Sequence, residues 1–199
     1  MRKRLSLALC IAMLVSSALA SPARATTLAL MNLRQLTAAA TAIVRARCLG
    51  SSSDWERGEI WTLTRFQTLE RFKGALPVEF TVRLIGGRVG GIESIVSEVP
   101  RFWPGEEVVL FLDPTQGGDY AVTAWAEGTF RVRRDRAGRR IVTADSAGQL
   151  VYDRATRQFR VEGIHRMLLG AFRQRIRSLV NSKSAPGAGD SAPGGKGQQ

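Results

Sequence analysis

Histidine and cysteine are almost missing from this sequence, which holds one histidine and two cysteines in 199 residues. A lone His165 excludes a Ser-His-Asp triad and a two-histidine metal site, and two cysteines are too few for structural zinc. Paired carboxylates do not take their place. Glu106 and Glu107 are neighbours on what reads as the start of a strand, so they face opposite sides and cannot act together as acid and base. The glycine-rich stretch 86–91 is followed neither by Lys-Ser/Thr nor by a helical pattern, which removes a phosphate loop. No metal or cofactor is implied, and the chain reads as a non-enzyme.

Long apolar runs are also absent, with one exception at the N-terminus. Arg2, Lys3 and Arg4 precede the apolar segment Leu5 to Ala20, and Ala23-Arg24-Ala25 places small residues where a signal peptidase reads them. The segment has 16 residues, short of the roughly 20 that span a bilayer. Residues 1–25 are therefore expected to be a cleaved signal peptide, with cleavage before Thr26 and a cut after Ala20 as the alternative. The mature chain is then secreted or periplasmic and has no transmembrane segment. Cys10 leaves with the signal, and Cys48 remains without an intrachain partner. Cys48 alternates with Val44 and Ala46 against Arg45 and Arg47, so it reads as a small buried hydrophobe.

The mature chain reads mostly as strands. Asn32 and Gln35 fit a capping box for a helix from Leu33 to about Thr41. Strands are expected at Ile43 to Leu49, Ile60 to Phe72, Val78 to Ile85, Ile92 to Val96, Val108 to Leu112, Tyr120 to Ala126, Thr129 to Arg134 and Arg139 to Thr143. Ser51 to Asp54 reads as a loop, 86–91 as a bulged hairpin or loop, and Asp135 to Gly138 as a hairpin turn. Turn signals recur about every ten residues, which favours a closed or nearly closed antiparallel barrel over a parallel α/β sheet.

Leu150 to Tyr152 and Gln158 to Val161 suggest one more hairpin. A helix from about Ile164 to Val180 follows, with Ile164, Leu168, Ala171, Phe172, Ile176 and Leu179 on one side and Arg166, Arg173 and Arg177 on another. Asn181 to Gln199 holds five Gly, two Pro and three Ser without an aromatic residue, a composition that cannot order itself. The expected organisation is a β-barrel domain over 26–145, a hairpin and basic amphipathic helix over 146–180, and a disordered Gly/Pro/Ser-rich tail over 181–199. The fold class is mainly β, an antiparallel barrel with a short N-terminal helix, an added hairpin and a C-terminal amphipathic helix.

Four segments in this order carry a resemblance. They are the leading helix, the strand Thr41 to Cys48 with its basic stripe, the long strand closing on Phe72-Lys73-Gly74, and Gly105-Glu106-Glu107 opening the apolar strand Val108 to Leu112. Together, over about Leu33 to Val132, they resemble the netrin-like module, the family that includes the N-terminal domain of the tissue inhibitors of metalloproteinases. The run from Arg101-Phe102 to Leu112 is also similar to exported bacterial proteins, a likeness that carries no activity. The resemblance implies an OB-type five-stranded barrel. It also implies, as an alternative function, regulation or inhibition of an extracellular metalloprotease. Inhibitors of that kind place a disulfide-anchored N-terminal cysteine on the protease zinc. Here the predicted first residue is Thr26, and no disulfide can hold it.

Charge separates the remaining readings. The formal charge of +12 falls once the signal is removed, leaving 25 basic and 17 acidic residues. Residues 26–130 are slightly acidic, and the excess lies in 131–199, with 15 basic and 5 acidic side chains. Arginine outnumbers lysine 25 to 4, a bias that coding composition alone can produce. The leading expectation is an exported binding protein that acts through its barrel loops and a basic C-terminal face on a protein or envelope component. The second alternative is an anionic polymer or membrane surface, gripped by Arg131, Arg133, Arg134, Arg136, Arg139 and Arg140 with Arg166, Arg173, Arg175 and Arg177. Export disfavours nucleic acid. Ligand-binding candidates are Arg88 in the glycine-rich stretch, Trp103 in the turn before the apolar strand, and Arg133, Arg134, Arg139, Arg140, Arg173 and Arg177. His165, at the start of the basic helix, reads as a capping or surface residue.

Overall fold

In a computed structural model, residues 31–148, 150–153, 158–161 and 163–184 are described. The predicted signal peptide, Thr26 and the tail beyond residue 184 lie outside them. The capping box forms as its spacing predicts: Asn32 Oδ1 accepts from the Gln35 amide at 3.0 Å, and Gln35 Oε1 accepts from the Asn32 amide at 2.8 Å. Helix α1 (Leu33–Ala39) ends where Lys73 donates to the Thr37 carbonyl at 2.7 Å and also bonds that of Ala40. Those carbonyls have no partner within the helix, so the Lys73 ammonium caps them. Gly74 follows with φ 71°, and a Cβ there would lie 2.7 Å from the Thr41 carbonyl oxygen. The Phe72-Lys73-Gly74 turn is thus a clasp between α1 and the barrel.

Strands β1 (Ala42–Glu56), β2 (Glu59–Lys73) and β3 (Glu79–Ile85) form an antiparallel meander. After the small hairpin β4 (Gly87–Val89) and β5 (Ile92–Ser94), β6 (Glu107–Pro114) pairs with β1, and β7 (Tyr120–Val122) pairs with β6. A bridge between Val82 and Tyr120 joins β3 to β7 and closes a ring in the order β1-β2-β3-β7-β6. The fold is the closed barrel that the strand spacing predicts, with the five-stranded OB-like ring that the resemblance implies. One correction applies: this closing bridge is parallel, because β7 re-enters the ring beside β3 after a long connection.

The sheet then runs on beyond the ring. From β6 it continues to β8 (Thr129–Arg134), β9 (Arg140–Ala144) and the two-residue β12 (Met167–Leu168), while β10 (Leu150–Asp153) and β11 (Gln158–Val161) make the expected separate hairpin. One edge of β6 is filled by β1, and the other is shared between β7 and β8. Both faces of β6 are covered too. Val108, Leu110 and Leu112 enter the barrel interior with Val44, Phe66, Phe80 and Val82. Val109 and Phe111 enter a second core outside the ring, with Leu36, Phe130, Phe172 and Ile176. Burial on both faces is why the strand is continuously apolar and does not alternate.

Four expectations are corrected. Ser51 to Asp54 is strand, because a bulge at Cys48–Gly50 turns Ser51 and Ser53 toward Thr64 and Thr62, whose hydroxyls lie 2.9 and 2.8 Å away. The strand expected to reach Ala126 stops at Val122, where Ala124 and Trp125 take left-handed backbone angles and reverse the chain. The C-terminal helix α2 is Leu169–Ser184, since Met167 and Leu168 first pair with β9. Its buried face is therefore Leu169, Phe172 and Ile176, while Leu168 and Ala171 are exposed. The helix also takes in Asn181 to Ser184, where the tail was expected to begin.

Asp113 ties the start of β1 to the turn after β7. Its carboxylate accepts from the Thr41 amide and hydroxyl at 2.9 and 2.8 Å and from the Thr123 hydroxyl at 2.7 Å. Burial pushes its pKa up, but the bonds from Thr123 and Thr41, with the Lys73 charge, outweigh it and hold the pKa below the ordinary aspartate value. A depressed folded-state pKa contributes stability above the unfolded value and loses it as pH falls through the folded one. Urea midpoints of the wild type are expected to drop more steeply below about pH 4 than those of Asp113→Asn. Parallel curves between pH 5 and 2 would refute the role given to Asp113.

Candidate binding cleft

The β1–β2 arm extends past the barrel, and its concave side carries hydroxyls where the barrel proper carries apolar side chains. The reason lies in the bulge at Cys48–Gly50, which puts Ser51 and Ser53 on the face that Phe66 occupies one turn of the ladder below. Thr62 gives its single hydroxyl proton to the Gly86 carbonyl at 2.6 Å, so Ser53 is the donor in the Ser53–Thr62 pair. The β4–β5 hairpin sits directly on this ladder. Gly87 has φ 139°, and the hydroxyls of Thr62 and Ser53 fill the space that a Cβ there would need. The glycine-rich stretch is thus a flap whose glycines permit close approach.

Between the arm, the flap and the strap 99–103 lies a cleft of about 230 Å³. Its floor is Leu84, Val99 and Phe102, its wall is Ser51, Ser53, Thr62 and Thr64, and its rim is Arg88, Glu93, Arg101 and Trp103. Glu93 pairs with Arg101 at 2.9 Å and stands across the flap from Arg88. Trp103 is 62% exposed. The structure therefore brings two of the predicted site residues, Arg88 and Trp103, to one rim.

The strap is held by Arg131. Its guanidinium grips Asp145 with two bonds of 2.6 Å, donates to Glu106 at 2.5 Å and to the Arg101 carbonyl at 2.8 Å. The same group lies 5.2 Å from the Phe102 ring centroid and 5.8 Å from that of Trp103. Burial lowers its pKa, yet the bonds to Asp145 and Glu106 more than reverse that and keep it charged. Read from sequence as one of a row of surface arginines, Arg131 is instead 9% exposed and internal. The Cys48 thiol, behind the strap, is buried, and burial pushes its pKa up, which fits a packing role.

Comparison with family models, curated proteins and solved structures finds no match to this chain. Function must therefore be argued from the clefts themselves.

The other predicted residues do not reach this cleft. Arg139 closes the β8–β9 turn on Asp135, with Nε 2.9 Å from Oδ2. Arg173 and Arg177 of α2 meet Glu70 of β2 at 2.7 and 2.9 Å, and Arg45 joins from the other side at 3.2 Å. The expected basic helix face is thus partly neutralised by the barrel. Arg133, Arg134 and Arg140 gather at a different cleft, beside Glu106 and Glu107, where Arg47 of β1 meets them. His165 is exposed and precedes α2 by several residues. Trp55, Trp103 and Trp125 are all substantially exposed, whereas Phe66 and Phe102 are buried. Sequence reading missed the hydroxyl wall, Arg101 and Arg47. Its signal was present as Ser51/Ser53 and Thr62/Thr64, pairs spaced by two as strand neighbours on one face must be.

Proposed function

We propose that this chain is an exported, non-catalytic binding protein that takes a projecting group of a protein or envelope component into the barrel-mouth cleft. The observation that carries this reading is Trp103: a large indole standing exposed at the rim of a cleft with an apolar floor and a hydroxyl wall, on a strap fixed by Arg131. An exposed aromatic on a rigid support contributes binding area with little ordering cost. A cavity of about 230 Å³ is below the range of roughly 300–1,000 Å³ usual for whole small-molecule ligands. The cleft therefore suits one residue or one ring of a larger partner. Its chemistry favours a group with an apolar face for the indole and polar edges for Ser51, Ser53 and the Arg88–Glu93–Arg101 rim.

Short cell-envelope peptides and oligosaccharides, screened by protein-observed NMR, test the reading. Binders are expected to shift the Trp103 indole and the amides of residues 51–53, 62–64 and 86–88. Trp103→Ala is expected to weaken them about thirtyfold, the size of an aromatic anchor. Binders that map elsewhere, or that are indifferent to Trp103→Ala, overturn it.

A further inference from the structure

Just beyond the strap, a second cleft of about 430 Å³ is lined by Arg47, Arg133, Arg134 and Arg140 with Glu106 and Glu107. Its two carboxylates are already engaged. Glu106 accepts from Arg131 at 2.5 Å and Glu107 from Arg45 at 2.6 Å, whereas Arg140 comes only within 3.8 Å of Glu107. The guanidinium of Arg134 donates to the Gly138 carbonyl, a neutral acceptor, at 2.9 Å. The side chains of Arg47 and Arg133 have no hydrogen bond or ion pair among the described residues. Because Arg131 is shared with Asp145 and Arg45 with Glu70, the six arginines here face four carboxylates, an excess of two positive charges around one cavity.

These charges sit where the sheet would not place them for stability. Arg134 and Arg140 are direct cross-strand partners of β8 and β9. Like charges facing each other in that position repel. Arg47 comes from β1 on the far side of β6, so three strands converge their arginines on one place. Guanidinium forks match the oxygens of a phosphoryl group, and a phosphate monoester carries close to two charges and three acceptor oxygens. A carboxylate, with one charge and two oxygens, would relieve less of this repulsion.

We infer that this cleft is an oxyanion site for a phosphoryl group, formed by Arg47, Arg134 and Arg140, which the strand register places on one face of the sheet, with Arg133 at its border. It is separate from the mouth cleft and does not depend on the ligand taken there. The phosphoryl group belongs either to a soluble phosphate ester or to a phosphomonoester lipid headgroup.

Thermal unfolding of the mature chain in inorganic phosphate or glycerol phosphate, against chloride at matched ionic strength, gives the first test. Both phosphates are expected to raise Tm where chloride does not. Arg134→Glu sets an acid opposite Arg140, so its Tm without phosphate should equal or exceed the wild-type value, while phosphate affinity falls at least tenfold. Arg47→Ala should weaken phosphate binding without that gain. Sedimentation with phosphatidylcholine vesicles, with and without phosphatidic acid, distinguishes the sources. Arginine-dependent capture only by phosphatidic acid vesicles assigns the headgroup, and a response to soluble phosphates alone assigns a soluble ester. An equal Tm rise in chloride, or phosphate and vesicle responses unchanged in both variants, overturns the site.

Discussion

Replacing Arg131 by Met is expected to lower stability by about 3 kcal/mol, the lower end of the range for removing one partner of a buried ion pair. The lower end applies because the Glu106 and Asp145 side chains keep 16% and 19% of their exposure, so water can partly resolvate them once the guanidinium is gone. The loss has three parts: two carboxylates without their cation, the Arg101 carbonyl without its donor, and two aromatic rings without the group they lie beside. For a chain of this size, Tm should fall by roughly 6–12 °C. Arg131→Lys keeps the charge but cannot reproduce the two-bond grip on Asp145, so it should recover only part of the loss. Urea unfolding of the three proteins gives the comparison. A cost below about 1 kcal/mol for Arg131→Met would show that the strap is held by Phe102 packing and not by the guanidinium.

That residue also connects the two clefts. Trp103 ends the strap, and Glu106, which lines the arginine cleft, follows three residues later, at most ~11 Å away along extended chain. If Arg131 is what fixes the strap, Arg131→Met should loosen the Trp103 indole and the Glu106 wall of the arginine cleft together. Binding at both clefts would then weaken in a variant that touches neither ligand.

What was legible in the sequence was whatever depends on neighbours along the chain. Val108 to Leu112 announced a strand covered on both faces, and Phe80, Val82 and Leu84 announced one covered on a single face. Asn32 and Gln35 announced a helix start. Ser51 to Asp54 did not read as strand because serine, glycine and aspartate favour turns locally. Their extended state is supplied by Thr62 and Thr64 on the partner strand. The start of α2 was hidden for a related reason: Ile164 and Leu168 fit a helical stripe, but pairing of Met167 and Leu168 with β9 takes precedence. The clefts were the least legible part. Arg131 and Arg133 lie two apart on one strand, equal as letters, and only the distant Asp145 and Glu106 make the first internal and leave the second exposed. Arg47 joins Arg140 only because β6 and β8 carry the sheet from β1 to β9.

The same contrast between contact and charge decides how α2 is held, and here the second large effect is expected. Phe172 is fully buried, 5.0 Å from the Phe130 ring, which lies 5.4 Å from Phe111. Phe172→Ala opens a cavity between helix and sheet and should cost about 3–5 kcal/mol. On the same helix, Arg173 and Arg177 bind Glu70, but their side chains are 41% and 57% exposed. Exposed pairs contribute little, and Glu70 keeps Arg45 when both are removed, so Arg173→Ala with Arg177→Ala should cost under about 2 kcal/mol. Burial is expected to outweigh charge in fixing the helix. Urea unfolding monitored by far-ultraviolet circular dichroism gives the ordering directly. If the double arginine variant loses more than Phe172→Ala, the helix is held on the barrel by its ion pairs and the second core is secondary to them.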